Sequence, residues 1–488
     1  MRHRHTLSHY KLLTGDMGKL YPIGLIEVLP GDTAQHSASV FLRFSPMAAP
    51  VMHPVSVRIH HFFVPHRLTW PTEGPIGART GWEAFITAGA DGNDAQTVPT
   101  QLTTGTGSDI MDYLGLPLVA SVPVSSLPIR CFNMIFNEFY RDQDLGGERT
   151  EEKVDVPFIA WEKDYLTMAR PWTQKGDDVS VPIGGAAPVV STGDGRPIFK
   201  TATTSGVGLE GDGTTNDARW TITTSAEPIQ WQDTKLEADL SGASAVPINE
   251  FRRAFALQRY AEARARYGSR YTEYLRYLGV TPGDARLDRP EYLGGGRARV
   301  AMSEVLQTTD TTNADPTRYG VGDMYGHGVA STKSNRYRKS FTEHGYIMSL
   351  LSVRPKAMYL DGTSRTWLRR TREDFWQKEL QQIGQQEVWD GEVFPDPATT
   401  YDIFGYQDRY REYREEPSRV AGEFRDVLKY WHLGREFVSA PALNETFTDC
   451  NPSKRIFNVQ TNHGLWIAVQ HNLVMRRLVA RNASSRIL

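Results

Sequence analysis

Cysteine is almost absent from this chain of 488 residues: only Cys131 and Cys450 occur. Two thiols exclude a disulfide framework, and a four-ligand zinc site would need histidine to supply the rest. Two reduced, buried thiols are the plain expectation. No apolar run approaches the roughly 20 residues that a membrane-spanning helix requires. The first residues, Met1-Arg2-His3-Arg4-His5, run into polar positions with no apolar stretch behind them. That is not the pattern of a secretory signal, and synthesis in a cytoplasm is expected. Catalytic signatures are missing too: there is no G-x-S-x-G elbow, no G-K-[ST] phosphate loop, no H-E-x-x-H and no C-x-x-C. Gly206-Val-Gly208-Leu-Glu-Gly211 matches a dinucleotide fingerprint by letter, but it follows no buried strand and opens no helix. No catalytic residue, cofactor or metal is assigned.

What is present is charge arranged by position. The sum is 55 − 57 = −2, which argues against a dedicated nucleic-acid-binding domain. Yet residues 1–11 hold Arg2, Arg4 and Lys11 with no acid, and residues 470–488 hold Arg476, Arg477, Arg481 and Arg486 with no acid. The stretch Gly176–Val246 is the reverse, with 4 basic residues against 10 acidic ones, 4 − 10 = −6. It also holds ten glycines, ten threonines and six serines. Few of its side chains can build a core, so it reads as disordered or functional, and its tryptophans and the Trp220-Thr221-Ile222-Thr223 run favour a small outlying β structure over disorder.

Strand signals bracket the chain. Val55, Val57, Ile59 and Phe63 alternate with Ser56, Arg58 and His60 before Pro65, and Val40, Leu42 and Phe44 alternate before Ser45-Pro46. Tyr346–Leu351 is nearly continuous apolar sequence, and Leu465, Ile467 and Val469 alternate again. Early and late strands with long excursions between them fit an antiparallel sandwich or jelly roll. Helical signals are fewer. Asn249 stands at a capping position with Glu250 behind it, and an apolar stripe from Phe251 runs to Gly268-Ser269. A second piece through Tyr271, Tyr274, Leu275 and Leu278 ends at Gly279 and Pro282, giving a helical excursion over 249–279. With seven arginines and three glutamates between Glu250 and Arg276, a solvated or subunit-contact face and a phosphate-facing one both fit. A third helix is expected from Arg372 to Ile383, closed by Gly384.

His53, His60, His61 and His66 lie within 14 positions. His60 and His61 fall on opposite faces of one strand, which favours packing over a shared metal. Tyr406, Tyr410 and Tyr413, interleaved with Arg409, Arg411 and Arg414, have the composition of a subunit interface, and local loop packing accounts for them equally. Frequent acids and tryptophans leave one enzymatic rival, a secreted β-sandwich carbohydrate-binding or carbohydrate-active protein with two catalytic carboxylates.

Longer strings carry a resemblance. PIGLIEVLPGDT (22–33), SPMAAPVMHPVSVRIHHFFVPHR (45–67), INEFRRAFALQRYAE (248–262), GSRYTEYL (268–275), DARLDRPEYLGG (284–295), EHGYIMSLLSVRPK (343–356), RRTREDFW (369–376), FGYQDRYREYREEPSRVAGEFR (404–425) and WHL (431–433) occur in one order along the chain. In these it resembles the major capsid proteins of the Microviridae, most closely the gokushovirus-like branch, over nearly its whole length. The resemblance implies a mainly β fold, an eight-stranded antiparallel viral jelly roll with long insertions that include short helices. It implies a single capsid domain over 1–488 with a surface protrusion at 176–246. A non-catalytic subunit of a T=1 icosahedral shell around circular single-stranded DNA follows, in a virion assembled in the host bacterial cytoplasm. The partners implied are other copies of the chain, the packaged DNA, and scaffolding, DNA-pilot and small DNA-binding phage proteins. A host surface receptor, a glycan or lipopolysaccharide, would meet the protrusion. Relatives of this kind begin with a longer arm and end on a proline- and glycine-rich tail, whereas this chain ends HNLVMRRLVARNASSRIL (471–488). Arg2, Arg4, Lys11, Arg476, Arg477, Arg481 and Arg486 are therefore expected to face DNA, with pairing to neighbouring acids as the alternative. Tyr406, Arg409, Tyr410, Tyr413 and Arg414 are expected between subunits.

Overall fold

Period-two alternation requires one buried and one free or covered face per strand, and a computed structural model shows how each is met. It describes residues 2–73, 80–87, 96–176, 189–191, 198–200, 207–208, 230–233, 236–238, 248–267, 288–308 and 322–480. The principal strands are β1 (His3–Thr6), β2 (His9–Gly15), β3 (Leu20–Val28), β4 (Thr33–Phe44), β5 (Val55–Pro65), β6 (Glu291–Arg299), β7 (Ala301–Leu306), β8 (Met324–Lys333), β9 (Tyr337–Ser340), β10 (Gly345–Pro355) and β11 (Leu465–Arg477).

The chain divides into two compact units, Met1–Thr173 with Arg264–Leu488, and Gln174–Ala263. In the first, all strand pairs are antiparallel, and the principal strands fall into two main sheets. A seven-stranded sheet runs β1-β11-β4-β8-β7, with β2 also on β11 and β9 also on β4. A four-stranded sheet runs β6-β5-β10-β3. The chain crosses repeatedly between the sheets, so β2, β11, β4 and β8 align in one while β3, β10, β5 and β6 align in the other. This interleaving of early and late segments is that of a jelly-roll sandwich. The expected eight strands become eleven in these two sheets. β9 takes up the neighbour that β8 leaves, pairing with Thr33–His36 after β8 has paired with Ser39–Arg43. β1 likewise continues β2 along β11, and β7 adds an edge hairpin to β8.

Between the sheets lie the inward residues of both. Val40, Leu42, Ile467 and Val469 face Val57, Ile59, Leu351 and Val353, all at most 3% exposed. Each such side chain contributes roughly 1.5–3 kcal/mol by leaving water. The four-stranded sheet is covered on its other side as well. The helix α1 (Leu127–Phe139) starts with Pro128 in its first turn and buries Leu127, Cys131, Phe132 and Ile135, an i, i+4, i+8 stripe with its neighbour. It packs against β10 and brings Phe139 to 4.7 Å from Phe62 of β5. The sequence carries this stripe at Leu127, Cys131 and Ile135.

A long excursion from β10 to β11 is pinned inside the same unit. Arg365 donates to Glu392 at 2.8 Å, Tyr165 donates to the same carboxylate at 2.8 Å, and the guanidinium lies 4.1 Å over Trp389. The helix expected over Arg372–Ile383 does not form. Two 3-10 turns, Arg372–Asp374 and Leu380–Gln382, stand in its place. The Asp374 carboxylate accepts from the Arg370 and Thr371 amides, closing the first turn locally. Phe375, Trp376 and Ile383 are 51–56% exposed, so no apolar burial supports a continuous helix of that length.

In the second unit, Val189–Ser191 pairs with Leu236–Ala238, and Ile198–Lys200 pairs with Val207–Gly208 and Gln230–Asp233. The helix α2 (Ile248–Tyr267) starts one residue before the expected cap, placing Asn249 within its first turn, and Phe251 and Phe255 stack edge to face at 4.8 Å. Most of the 176–246 segment, the rest of the Gly206–Gly211 string and the second helical piece at 271–278 lie outside the described residues. Among those described, no helix is long and apolar enough to cross a membrane.

Candidate functional site

The two basic ends meet on one strand pair. β1 lies antiparallel on the end of β11, so Arg4 stands opposite Arg476 and His3 opposite Arg477. Arg2, Arg4 and Arg476 are exposed. Arg477 is engaged within the subunit: its guanidinium lies 2.9 Å from the buried Asp32 carboxylate and donates to the Glu27 carbonyl. Lys11 is engaged too, donating to the carbonyls of Pro22 at 3.2 Å and of Tyr113. Burial lowers its pKa to about 8 against the opposing pull of Asp112. Arg481 and Arg486 lie outside the described residues.

The tyrosine and arginine cluster divides in the same way. Tyr410, 4% exposed and at φ 60°, has its hydroxyl 3.1 Å and 3.0 Å from the carbonyls of Glu373 and Phe375, and accepts from the Gln377 amide. Packing within the subunit accounts for it, and left-handed backbone at a non-glycine residue persists because those bonds hold it. Arg409 lies over its ring at 5.4 Å. Tyr406 is half-buried in a two-stranded pair and bridges the backbone of Arg170. Only Tyr413 and Arg414 of this group are exposed, the former beneath Arg369 at 4.4 Å.

The four clustered histidines are all packed, and the structure adds two that spacing could not group with them. His61 Nδ1 lies 2.8 Å from Ser349 Oγ and its ring meets that of His36 edge to face at 4.7 Å; His36 Nε2 meets His471 Nδ1 at 3.0 Å. Burial, aided by neighbouring imidazoles, lowers His36 and His61 to about 2 and 3, and burial lowers His471 to about 4 against the opposing bond to the Ile23 carbonyl. These rings are neutral hydrogen-bonding partners between the sheets. Among the described residues no group of three or more histidine, cysteine or acidic side chains could hold a metal ion.

A cleft of about 460 Å³ over the four-stranded sheet contains Asp142, Asp144 and Glu162. Each is paired: Asp142 with Lys163 at 2.6 Å and Arg170 at 3.2 Å, Asp144 with Arg170 at 3.7 Å, Glu162 with Arg58 at 3.3 Å. Burial opposes ionisation of Asp142, but Lys163 and Arg170 prevail and hold it at about 2. A glycosidase needs one carboxyl held protonated as general acid, and at Asp142 the cations enforce the opposite.

Sequence comparison agrees with a structural role. The model of the family described as capsid protein (F protein) matches residues 1–485. The chain belongs to this phage capsid protein family. It is 35% identical to capsid protein VP1 of Bdellovibrio phage phiMH2K, across 88% of this chain and 85% of that one. Capsid protein VP1 of Chlamydia phage 1 is 33% identical, across 91% and 88%, and that of Spiroplasma virus 4 is 28% identical, across 90% and 86%. The subunit is thus a major capsid protein of the Microviridae, a virion component that assembles with its own copies and is not an enzyme.

Proposed function

We propose that copies of this chain close into a T=1 icosahedral shell around a circular single-stranded DNA genome, assembled in the host bacterial cytoplasm. The observation that carries the reading is the family match over residues 1–485. Among the described residues of the basic termini, Arg2, Arg4 and Arg476 stand free to neutralise phosphate, a contact that is salt-dependent and sequence-independent. Tyr413 and Arg414, exposed at a turn, are suited to contact between subunits. The acidic, core-poor segment 176–246 is suited to face away from phosphate, toward a host surface receptor. Companion scaffolding, DNA-pilot and small DNA-binding proteins complete the particle in this reading.

Expressing the full chain and imaging the nuclease-treated, size-fractionated product by electron microscopy tests the shell. Closed icosahedral particles with protected DNA are expected where the companion proteins are supplied. A stable monomer under those conditions contradicts it.

A further inference from the structure

The seven-stranded sheet has an outer face that the described chain leaves partly exposed, and its chemistry is one-sided. Register assigns the outward positions: on β4 they run Thr33, Gln35, Ser37, Ser39, Phe41 and Arg43, and on β11 Trp466, Ala468, Gln470, Asn472, Val474 and Arg476. On β8 and β9 they include His327, Ser331, Lys333 and Arg338. Arg4, Tyr10 and Leu12 complete the face from β1 and β2, and Ala301, Ser303 and Val305 from β7. Five arginine or lysine residues, Arg4, Arg43, Lys333, Arg338 and Arg476, stand at these positions, with no aspartate or glutamate among them. None of the five has an ion-pair partner among the described residues; Arg43 lies 5.9 Å over the Phe41 ring instead.

Aromatic side chains are exposed on the same face: Tyr10 is 75% exposed, Phe41 45% and Trp466 47%. Arg43 and Trp466 are cross-strand partners, and together they separate two hollows of about 590 and 540 Å³. The first is lined by no carboxylate. The second contains Asp112, which accepts from the Ser108 amide at 2.8 Å and lies in the field of Lys11.

Unpaired cations on a flat face repel one another and any basic neighbour, and a polyanion removes that cost along its whole length. Exposed aromatic rings between such cations stack on nucleobases without regard to sequence, and only a single strand leaves its bases free to be stacked. We propose that this open face of the seven-stranded sheet is a sequence-independent binding surface for single-stranded DNA, with phosphates on Arg43, Lys333 and Arg476 and bases on Trp466, Phe41 and Tyr10. The proposal rests on the reading of the chain as the wall around a single-stranded genome and says which surface of the wall meets it.

The test titrates the full chain with a fluorescein-labelled oligothymidylate carrying 5-iododeoxyuridine, followed by irradiation and mapping of the adducts by mass spectrometry. Adducts are expected on the peptides that contain Phe41 or Trp466. Replacing both exposed rings, Phe41→Ser with Trp466→Ser, is expected to weaken binding about tenfold or more. Arg43→Gln is expected to lower the slope of log affinity against log salt by about 0.7. Because all three side chains are exposed, unchanged circular dichroism and melting are expected to accompany these losses. Adducts confined to other peptides, with affinity unmoved by the double replacement, overturn the assignment of this face and leave the genome-enclosing shell standing. Absence of any binding to single-stranded DNA overturns both. Binding lost only when copies associate, with the face protected from labelling in empty shells, overturns the assignment in favour of a subunit contact.

Discussion

The two outer faces of the sandwich are made by the same alternation and have opposite fates. On the four-stranded sheet the outward residues are covered and paired by the chain itself: Phe62 meets Phe139 at 4.7 Å, His60 meets the Tyr140 hydroxyl at 2.6 Å, and Arg58 meets Glu162. On the seven-stranded sheet Phe41, Arg43 and Trp466 hold comparable positions and stay exposed, Phe41 at 45% and Trp466 at 47%. An aromatic and a cation supplied with partners contribute to folding; the same pair left bare contributes to association. The difference separates the residues that make this subunit stable from those left to meet something else.

The comparison is broken most severely from the covered side. Phe132→Ala in α1, at a residue with no exposure, is expected to cost about 3–5 kcal/mol in denaturant unfolding of the unassembled chain. Phe41→Ala on the open face is expected to stay within about 0.5 kcal/mol. Equal losses would show that the open face is structurally supported after all.

A smaller effect comes from between the faces. His36, with a folded pKa of about 2 against 6.5, is neutral in the fold while the unfolded chain takes up a proton below pH 6.5. Stability from this group is complete above pH 6.5 and falls as the pH drops below it, by about 2 kcal/mol at pH 5. His61 and His471 act in the same direction, with loss continuing to about pH 3 and 4 respectively. Melting temperature followed from pH 7.5 to 4.5 is expected to fall steadily. A flat profile would mean that these rings are not neutral in the interior.

The smallest effect sharpens the contrast between two arginines. Arg58→Gln removes a partly exposed ion pair and is expected to cost about 0.2–1 kcal/mol, less at high salt. Arg43→Gln, which breaks no ion pair, is expected to leave the denaturation midpoint unchanged.

Much of the framework was legible because burial on one face forces alternation. Val55–Pro65, Thr33–Phe44, Gly345–Pro355 and Leu465–Arg477 are all strands where apolar residues recur at every second position or run continuously. What was not legible depends on register between distant segments. His36 and His471 are 435 positions apart and meet only because β4 and β11 are neighbours. Arg4 and Arg476 become opposites for the same reason. The apolar residues of 372–383 suggested a helix because spacing cannot reveal that they have no core to enter. The acid-free alternation Thr33, Gln35, Ser37, Ser39, Phe41, Arg43 was present in the sequence, but only the pairing with β8 and β11 turns it into a surface.

Cryo-electron microscopy of the nuclease-treated, DNA-containing particle tests the central claim most directly. A closed icosahedral shell of this subunit is expected, with the open face of the seven-stranded sheet turned inward and ordered nucleic-acid density against Arg43 and Trp466. A shell in which that face points to external solvent or lies beneath a neighbouring subunit, with DNA density elsewhere, would contradict the account.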